Sequence, residues 1–128
     1  MGLRDLCQFV HEMYARHDIA RLTTEMYLSE LAPAMKPADA YAHIAHRKTE
    51  RVEIDPLEGR VTVGLVTPYP PGIPLLIPGE VFNRKIVDYL KFSREFNRQC
   101  PGFESDIHGL VEERGPDGSR RYFADCVR

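Results

Sequence analysis

Four things are scarce in this chain of 128 residues, and each scarcity excludes something. No apolar run approaches the roughly 20 residues that a membrane-spanning helix needs, and no charged-then-apolar leader opens the chain, so a cytoplasmic protein with no membrane partner is expected. Charge of one sign is scarce too: a formal net charge of −2 gives no pull toward nucleic acid. The cysteines Cys7, Cys100 and Cys126 are odd in number, scattered and without a CxxC pair. That pattern favours reduced, buried, inert thiols over a disulfide frame or a zinc site. Lysine occurs only as Lys36, Lys48, Lys85 and Lys91, each in a polar context that suits a hydrated surface amine better than a nucleophile.

The chemistry-bearing motifs are missing as well. Ser29, Ser93, Ser105 and Ser119 lack the Gly-x-Ser-x-Gly setting of a hydrolase nucleophile, and no Gly-rich turn before a helix offers to cradle a phosphate. His43 and His46 are spaced to share a helix face, but zinc would need a further ligand, so a solvated or hydrogen-bonded surface is the expectation, with no metal site. A pH response of this pair is a second reading. Asp106 near His108 reads as turn chemistry before a strand.

What is present is a front half of helices and a back half of strands. Leu3, Leu6, Cys7, Val10, Met13 and Tyr14 recur at helical steps from Leu3 to His17. Asp18 is placed to cap a second helix that runs until Pro33, and Pro37 to about Arg47 fits a third, with Asp39 complementing its positive end. Arg51 to Ile54 alternates, and Arg60 to Thr67 is β-branched enough for a strand, the two pairing as a hairpin or as loop-connected strands. Asn83 to about Asn97 returns to helical period and stops at Pro101-Gly102. Ile107 to Glu112 and Arg121 to Val127 flank Gly115-Pro116-Asp117-Gly118, a hairpin signal. The expected fold is α+β: a single compact domain over 1–128, N-terminal helices followed by a small, mostly antiparallel sheet and a long helix.

The most constrained stretch is Thr67-Pro68-Tyr69-Pro70-Pro71-Gly72-Ile73-Pro74-Leu75-Leu76-Ile77-Pro78-Gly79-Glu80. Its prolines fix φ and remove donors, while Gly72 and Gly79 permit positive φ. Pro68, Tyr69, Pro70, Pro71, Gly72, Pro74, Pro78 and Gly79 therefore define a structural motif. With Ile73, Leu75, Leu76 and Ile77 between them, the segment reads as a stiff, buried crossing, with residues 73–77 extended at a sheet edge. It formally satisfies PxxP, but its apolar surroundings argue against a ligand for a proline-reading module.

The run Tyr69 to Glu80 resembles the signature of the C-terminal domain of the bacterial ornithine/lysine/arginine decarboxylases, which are fold-type I, pyridoxal-phosphate-dependent enzymes. Met1 to Cys7, Asp18 to Tyr27, Glu58 to Val61 and Phe103 to Leu110 resemble consecutive stretches of the arginine-specific branch. The resemblance implies a parent that converts arginine to agmatine and carbon dioxide, with pyridoxal phosphate (PLP) held as a Schiff base by a lysine that follows a histidine. No lysine here follows a histidine, so the catalytic PLP domain is expected to be absent from this chain. No residue of it is assigned a catalytic, cofactor-binding or metal-binding role, and by itself it should be inactive. The implied partners are the parent's catalytic domain and further copies in a homo-oligomer, and the domain would cover apolar surface and shape the substrate entrance. Glu80, held after Pro78-Gly79, is the candidate entrance carboxylate for a basic substrate; the alternative is that it caps the following helix or pairs with an arginine such as Arg84. A free-standing interaction or regulatory domain of the same fold is the other functional reading.

Overall fold

Residues of helical period and residues of alternating pattern meet along one long helix. The computed structural model describes residues 2–69, 72–100, 102 and 105–128; Met1, Pro70, Pro71, Pro101, Phe103 and Glu104, named above, lie outside them. Helix α1 (Leu3–His17) starts with the Asp5 carboxylate accepting from the Gly2 amide at 3.1 Å, a negative group at the positive end of the helix. One residue, Asp18, separates it from α2 (Ile19–Leu28). Asp18 is corrected from a side-chain cap: it sits at φ 50°, its amide closes α1, and its carboxylate pairs with Arg21 at 3.1 Å. A cap needs extended backbone, whereas a one-residue reversal between helices needs a left-handed one. Helix α2 also ends earlier than Pro33, at Ser29, whose hydroxyl donates to the Met26 carbonyl. Helix α3 (Pro37–Ala45) opens on proline, with Asp39 in its first turn.

Strand β1 (Thr49–Glu53) pairs antiparallel with β5 (Arg120–Val127), and β5 pairs with β4 (Leu110–Arg114), giving the order β1-β5-β4. Along β5 the residues Tyr122, Ala124 and Cys126 point to the core and Arg121, Phe123 and Asp125 to the other face, the two-residue period of a half-buried strand. The β4–β5 hairpin turns on Gly115 to Ser119, where Asp117 accepts from the Ser119 amide.

The 60–67 stretch is not one strand, and it does not pair with β1. Val61 bridges to Val81, Thr62 to Cys126 and Val66 to Leu76, and only β2 (Thr67–Tyr69) forms a ladder, antiparallel to β3 (Asp106–His108). The break has a local cause: Thr62 Oγ1 donates to the Gly64 carbonyl at 2.8 Å and accepts from its amide, bending the chain and dividing its backbone groups among several neighbours.

Helix α4 (Arg84–Gln99) is capped by Asn83, whose carbonyl oxygen accepts from the Ile86 amide at 2.9 Å while its amide donates to Ser29 Oγ. One side of α4 puts Ile86, Val87 and Leu90 into the main core with Val52, Ile54, Leu57, Leu76, Phe82 and Ala124. Its later turns put Phe96 and Cys100 against Met13 of α1, with Phe9, Val10 and Phe92 around them. The sheet, α4 and Met26 of α2 thus share the main core while α1 packs against the later turns of α4, and the expected α+β architecture is what the chain adopts.

Candidate functional site

The proline-rich ribbon is anchored at alternate points and is not wholly buried. Pro68, with no amide hydrogen to donate, faces Ile107 in the β2–β3 ladder and is fully buried. Leu75 and Leu76 enter the core, where Leu75 N donates to the Val66 carbonyl at 2.8 Å and Val66 N to the Leu76 carbonyl at 3.0 Å. Tyr69, Ile73 and Pro74 between these anchors, and Ile77 just beyond them, are exposed, which corrects the expected buried crossing. Leu75 and Leu76 are buried together while Ile73, Pro74 and Ile77 on either side of them face outward, and the chain bends at Leu75 and turns through 77–80.

Two glycines fix the ribbon's path. Gly79 sits at φ 95°, its carbonyl accepts from the Ala34 and Met35 amides, and a Cβ there would lie 2.3 Å from the Met35 carbonyl oxygen. Gly109 sits at φ 99°, where a Cβ would lie 2.3 Å from the Leu65 carbonyl oxygen, and it separates β3 from β4.

Glu80 is half-buried, and its Oε1 accepts from the Ile77 amide at 2.8 Å while its own amide donates to the Ile77 carbonyl. One carboxylate oxygen is thereby used to close the 77–80 turn. Capping of α4 falls to Asn83, not to Glu80.

Beside the ribbon lies a cluster at Asp106 and His108, which stand within a strand and not in the turn expected before one. Asp106 and His108 are both in β3, with His108 Nε2 3.1 Å from Asp106 Oδ2, and the imidazole lies 4.6 Å from the Tyr69 ring. Tyr69 in turn covers Gly72, whose absent Cβ would fall 2.8 Å from the ring. Tyr27 of α2 reaches the Ile73 carbonyl at 3.5 Å. Under this surface Thr67, 5% exposed and register partner of His108, has a hydroxyl with no hydrogen-bond partner among the described residues. The i, i+2 spacing of Asp106 and His108 was the available signal, since such residues share a face once the segment is a strand.

A second polar group lines a cleft of about 200 Å³ between α4 and the β4–β5 hairpin. Asn97, 6% exposed, donates to the Ser105 carbonyl and accepts from the Ser105 amide, and Ser93 Oγ lies 3.0 Å from Ser105 Oγ. The hydrogen bonds are mutually satisfied, so the cluster pins the segment before β3 to α4. At the cleft's rim Arg94 bonds both oxygens of Asp55 at 2.9 and 3.1 Å, holding that carboxyl below its ordinary range. The Glu95 carboxyl, bonded first by Arg98 and then by Gln99, is pulled down to about 2.

The lysines do not fit a pyridoxal-phosphate site. Lys36, Lys48 and Lys85 are exposed and Lys91 is half-buried, so none has the enclosed, desolvated setting in which an amine becomes a carbonyl-reactive nucleophile. His43 Nδ1 lies 2.8 Å from the Asp39 carbonyl of its own helix, and among the described residues no group of three His, Cys, Asp or Glu side chains is placed to hold a metal ion. Cys100 and Cys126 are buried, and burial pushes the Cys126 thiol up to about 11; Cys7 is exposed, correcting the expectation that all three are buried.

Comparison with known proteins gives these features a context. The model of the family described as "Orn/Lys/Arg decarboxylase, C-terminal domain" matches residues 20–128. Lysine decarboxylase LdcA of Pseudomonas aeruginosa is 44% identical over 100% of this chain. The inducible ornithine decarboxylase of Escherichia coli is 32% identical over 98% of it. The solved structure of lysine decarboxylase A from Pseudomonas aeruginosa superimposes with a TM-score of 0.90 over 99% of this chain at 43% identity. The constitutive lysine decarboxylase of Escherichia coli does so with a TM-score of 0.88 at 30% identity. In each case the match covers a small share of the other protein, and this chain spans about 17% of the length of the curated relatives.

Proposed function

From a chain that belongs to the C-terminal domain family of the Orn/Lys/Arg decarboxylases, we propose a non-catalytic part of a pyridoxal-phosphate-dependent decarboxylase of basic amino acids. The observation that carries this reading is the 44% identity across the whole of this chain to 17% of a lysine decarboxylase. Lysine is the proposed substrate, converted to a diamine and carbon dioxide. The named relatives act on lysine and ornithine, so the arginine-specific branch expected from the sequence gains no support from them.

When bound, the cofactor supplies the electron sink that lets the carboxylate leave as carbon dioxide. In this reading it sits in a catalytic body outside residues 1–128, because none of this chain's four lysines is enclosed. The domain's part is to cover apolar surface of that body, to border the substrate entrance with Glu80 as the candidate carboxylate, and to add contacts between copies. Three free thiols suit a reducing, cytoplasmic setting.

The test is an assay of carbon dioxide release from lysine, ornithine and arginine by the 128-residue chain and by the natural chain that contains it. The longer chain should act on lysine in preference to arginine, and the 128-residue chain on none. A natural chain without a catalytic body, or carbon dioxide release by the 128-residue chain alone, would overturn the proposal; the former outcome favours the free-standing interaction domain.

A further inference from the structure

We propose that the outer face of the ribbon, formed by Leu65, Tyr69, Ile73 and Ile77, is the surface that docks on the decarboxylase's catalytic body. The inference rests on the function proposed above and adds to it the part of this domain that makes the contact.

The four side chains are between 45% and 56% exposed. They belong to one surface for a geometric reason. The Val66–Leu76 bridge is antiparallel and both its residues point into the core, at 1% and 0% exposure, so Leu65 and Ile77 fall beside each other on the outer side. Tyr69 extends the surface and is fixed between Gly72 and His108, and the Ile73 carbonyl is tied to Tyr27. Apolar side chains on a backbone that proline, glycine and hydrogen bonds already hold lose little further freedom on contact, which is the property of a preorganised binding surface.

The occupant follows from what surrounds the face. The chain covers about 17% of the length of its relatives, so a body several times its size belongs with it in the proposed parent. The Asp106–His108 pair stands at the rim of the apolar surface, as polar groups do around an interface core. A large exposed apolar pair on one helix face, Tyr41 and Ile44 of α3, serves as the comparison surface.

Hydroxyl-radical footprinting tests the proposal on the 128-residue chain and on the natural chain containing it. Tyr69 and Ile73 should be oxidised in the former and protected several-fold in the latter, with Tyr41 oxidised equally in both. Ile73→Asp should lower the melting temperature of the longer chain and leave that of the 128-residue chain unchanged. Equal labelling of Tyr69 in the two, in a longer chain that does decarboxylate, overturns the docking surface and leaves the function standing. Protection that appears in the 128-residue chain and fades on dilution assigns the face to a second copy instead. A loss of melting temperature from Ile73→Asp in both chains makes the ribbon a fold element only. Failure of the longer chain to decarboxylate removes the function proposal itself.

Discussion

The outer face of the three-stranded sheet and the outer face of the ribbon both border solvent, and they are finished in opposite ways. On the sheet, Arg51 bridges Asp125 at 3.0 Å and Glu113 at 3.4 Å, Arg121 bonds Glu53 at 3.0 and 3.1 Å, and the Arg121 guanidinium lies 5.4 Å over the Phe123 ring. The half-buried Phe123 is covered by Arg121 of its own strand, and the charged side chains pair across the strands. On the ribbon the outward residues are Leu65, Tyr69, Ile73 and Ile77, and of the carboxylates beside them Glu80 turns an oxygen back onto the Ile77 amide while Asp106 pairs with His108. A face completed by its own ion pairs is built for water; a face left apolar on a stiff backbone is built for a partner.

The comparison breaks most severely from inside the ribbon. Gly79→Ala places a methyl group 2.3 Å from the Met35 carbonyl oxygen at φ 95°, and should cost about 3 kcal/mol or more through clash and strain together. A large fall in denaturant midpoint is the expected result; an unchanged midpoint would mean that the ribbon has room to shift. Leu76→Ala against Ile77→Ala sharpens the inside–outside distinction by one residue. In the 128-residue chain the first should cost about 2–5 kcal/mol and the second within about 0.5 kcal/mol of nothing, because Leu76 is fully buried and Ile77 is 45% exposed.

How far these distinctions were legible in the sequence depends on what decided them. Helices α1 and α4 and the β4–β5 hairpin follow from apolar period and from the Asp-Gly step, which are local. The 60–67 stretch departs from a single strand because β-branched composition says that a segment is extended but not which neighbour takes its hydrogen bonds, and here Val61, Thr62 and Val66 each have a different one. Asp18 does not cap because the one-residue link between α1 and α2 holds its backbone left-handed. The ribbon's apolar content was legible, but hydrophobicity says only that Ile73 and Ile77 gain by leaving water, not whether this chain or another covers them. The Tyr69–His108–Asp106 cluster draws on segments far apart in sequence, and only the β2–β3 register brings them together.

Acid probes the charged side of the comparison. Arg94 lowers the Asp55 carboxyl and Arg98 with Gln99 holds Glu95 at about 2. A carboxyl whose folded-state value is depressed stabilises fully above its unfolded value, and that contribution is lost as pH falls through the folded one. Stability should therefore decline from about pH 5 toward about pH 2, and Glu95→Gln should flatten part of that decline. A melting curve against pH with an unchanged slope in the variant would show that the Glu95 contacts are not formed in solution. Smallest of all, Arg51→Ala on the sheet face should shift the denaturant midpoint only slightly, and less still in high salt, since both its bridges are half in water.

The central claim is that these residues form a cap whose reactive chemistry belongs to another part of the protein. Its most direct test is to mix the 128-residue chain with one equivalent of pyridoxal phosphate, reduce with borohydride and read the modified lysines by mass spectrometry. The account predicts no stoichiometric adduct at Lys36, Lys48, Lys85 or Lys91. A single lysine modified to completion, with carbon dioxide released from lysine by the unreduced mixture, would contradict it.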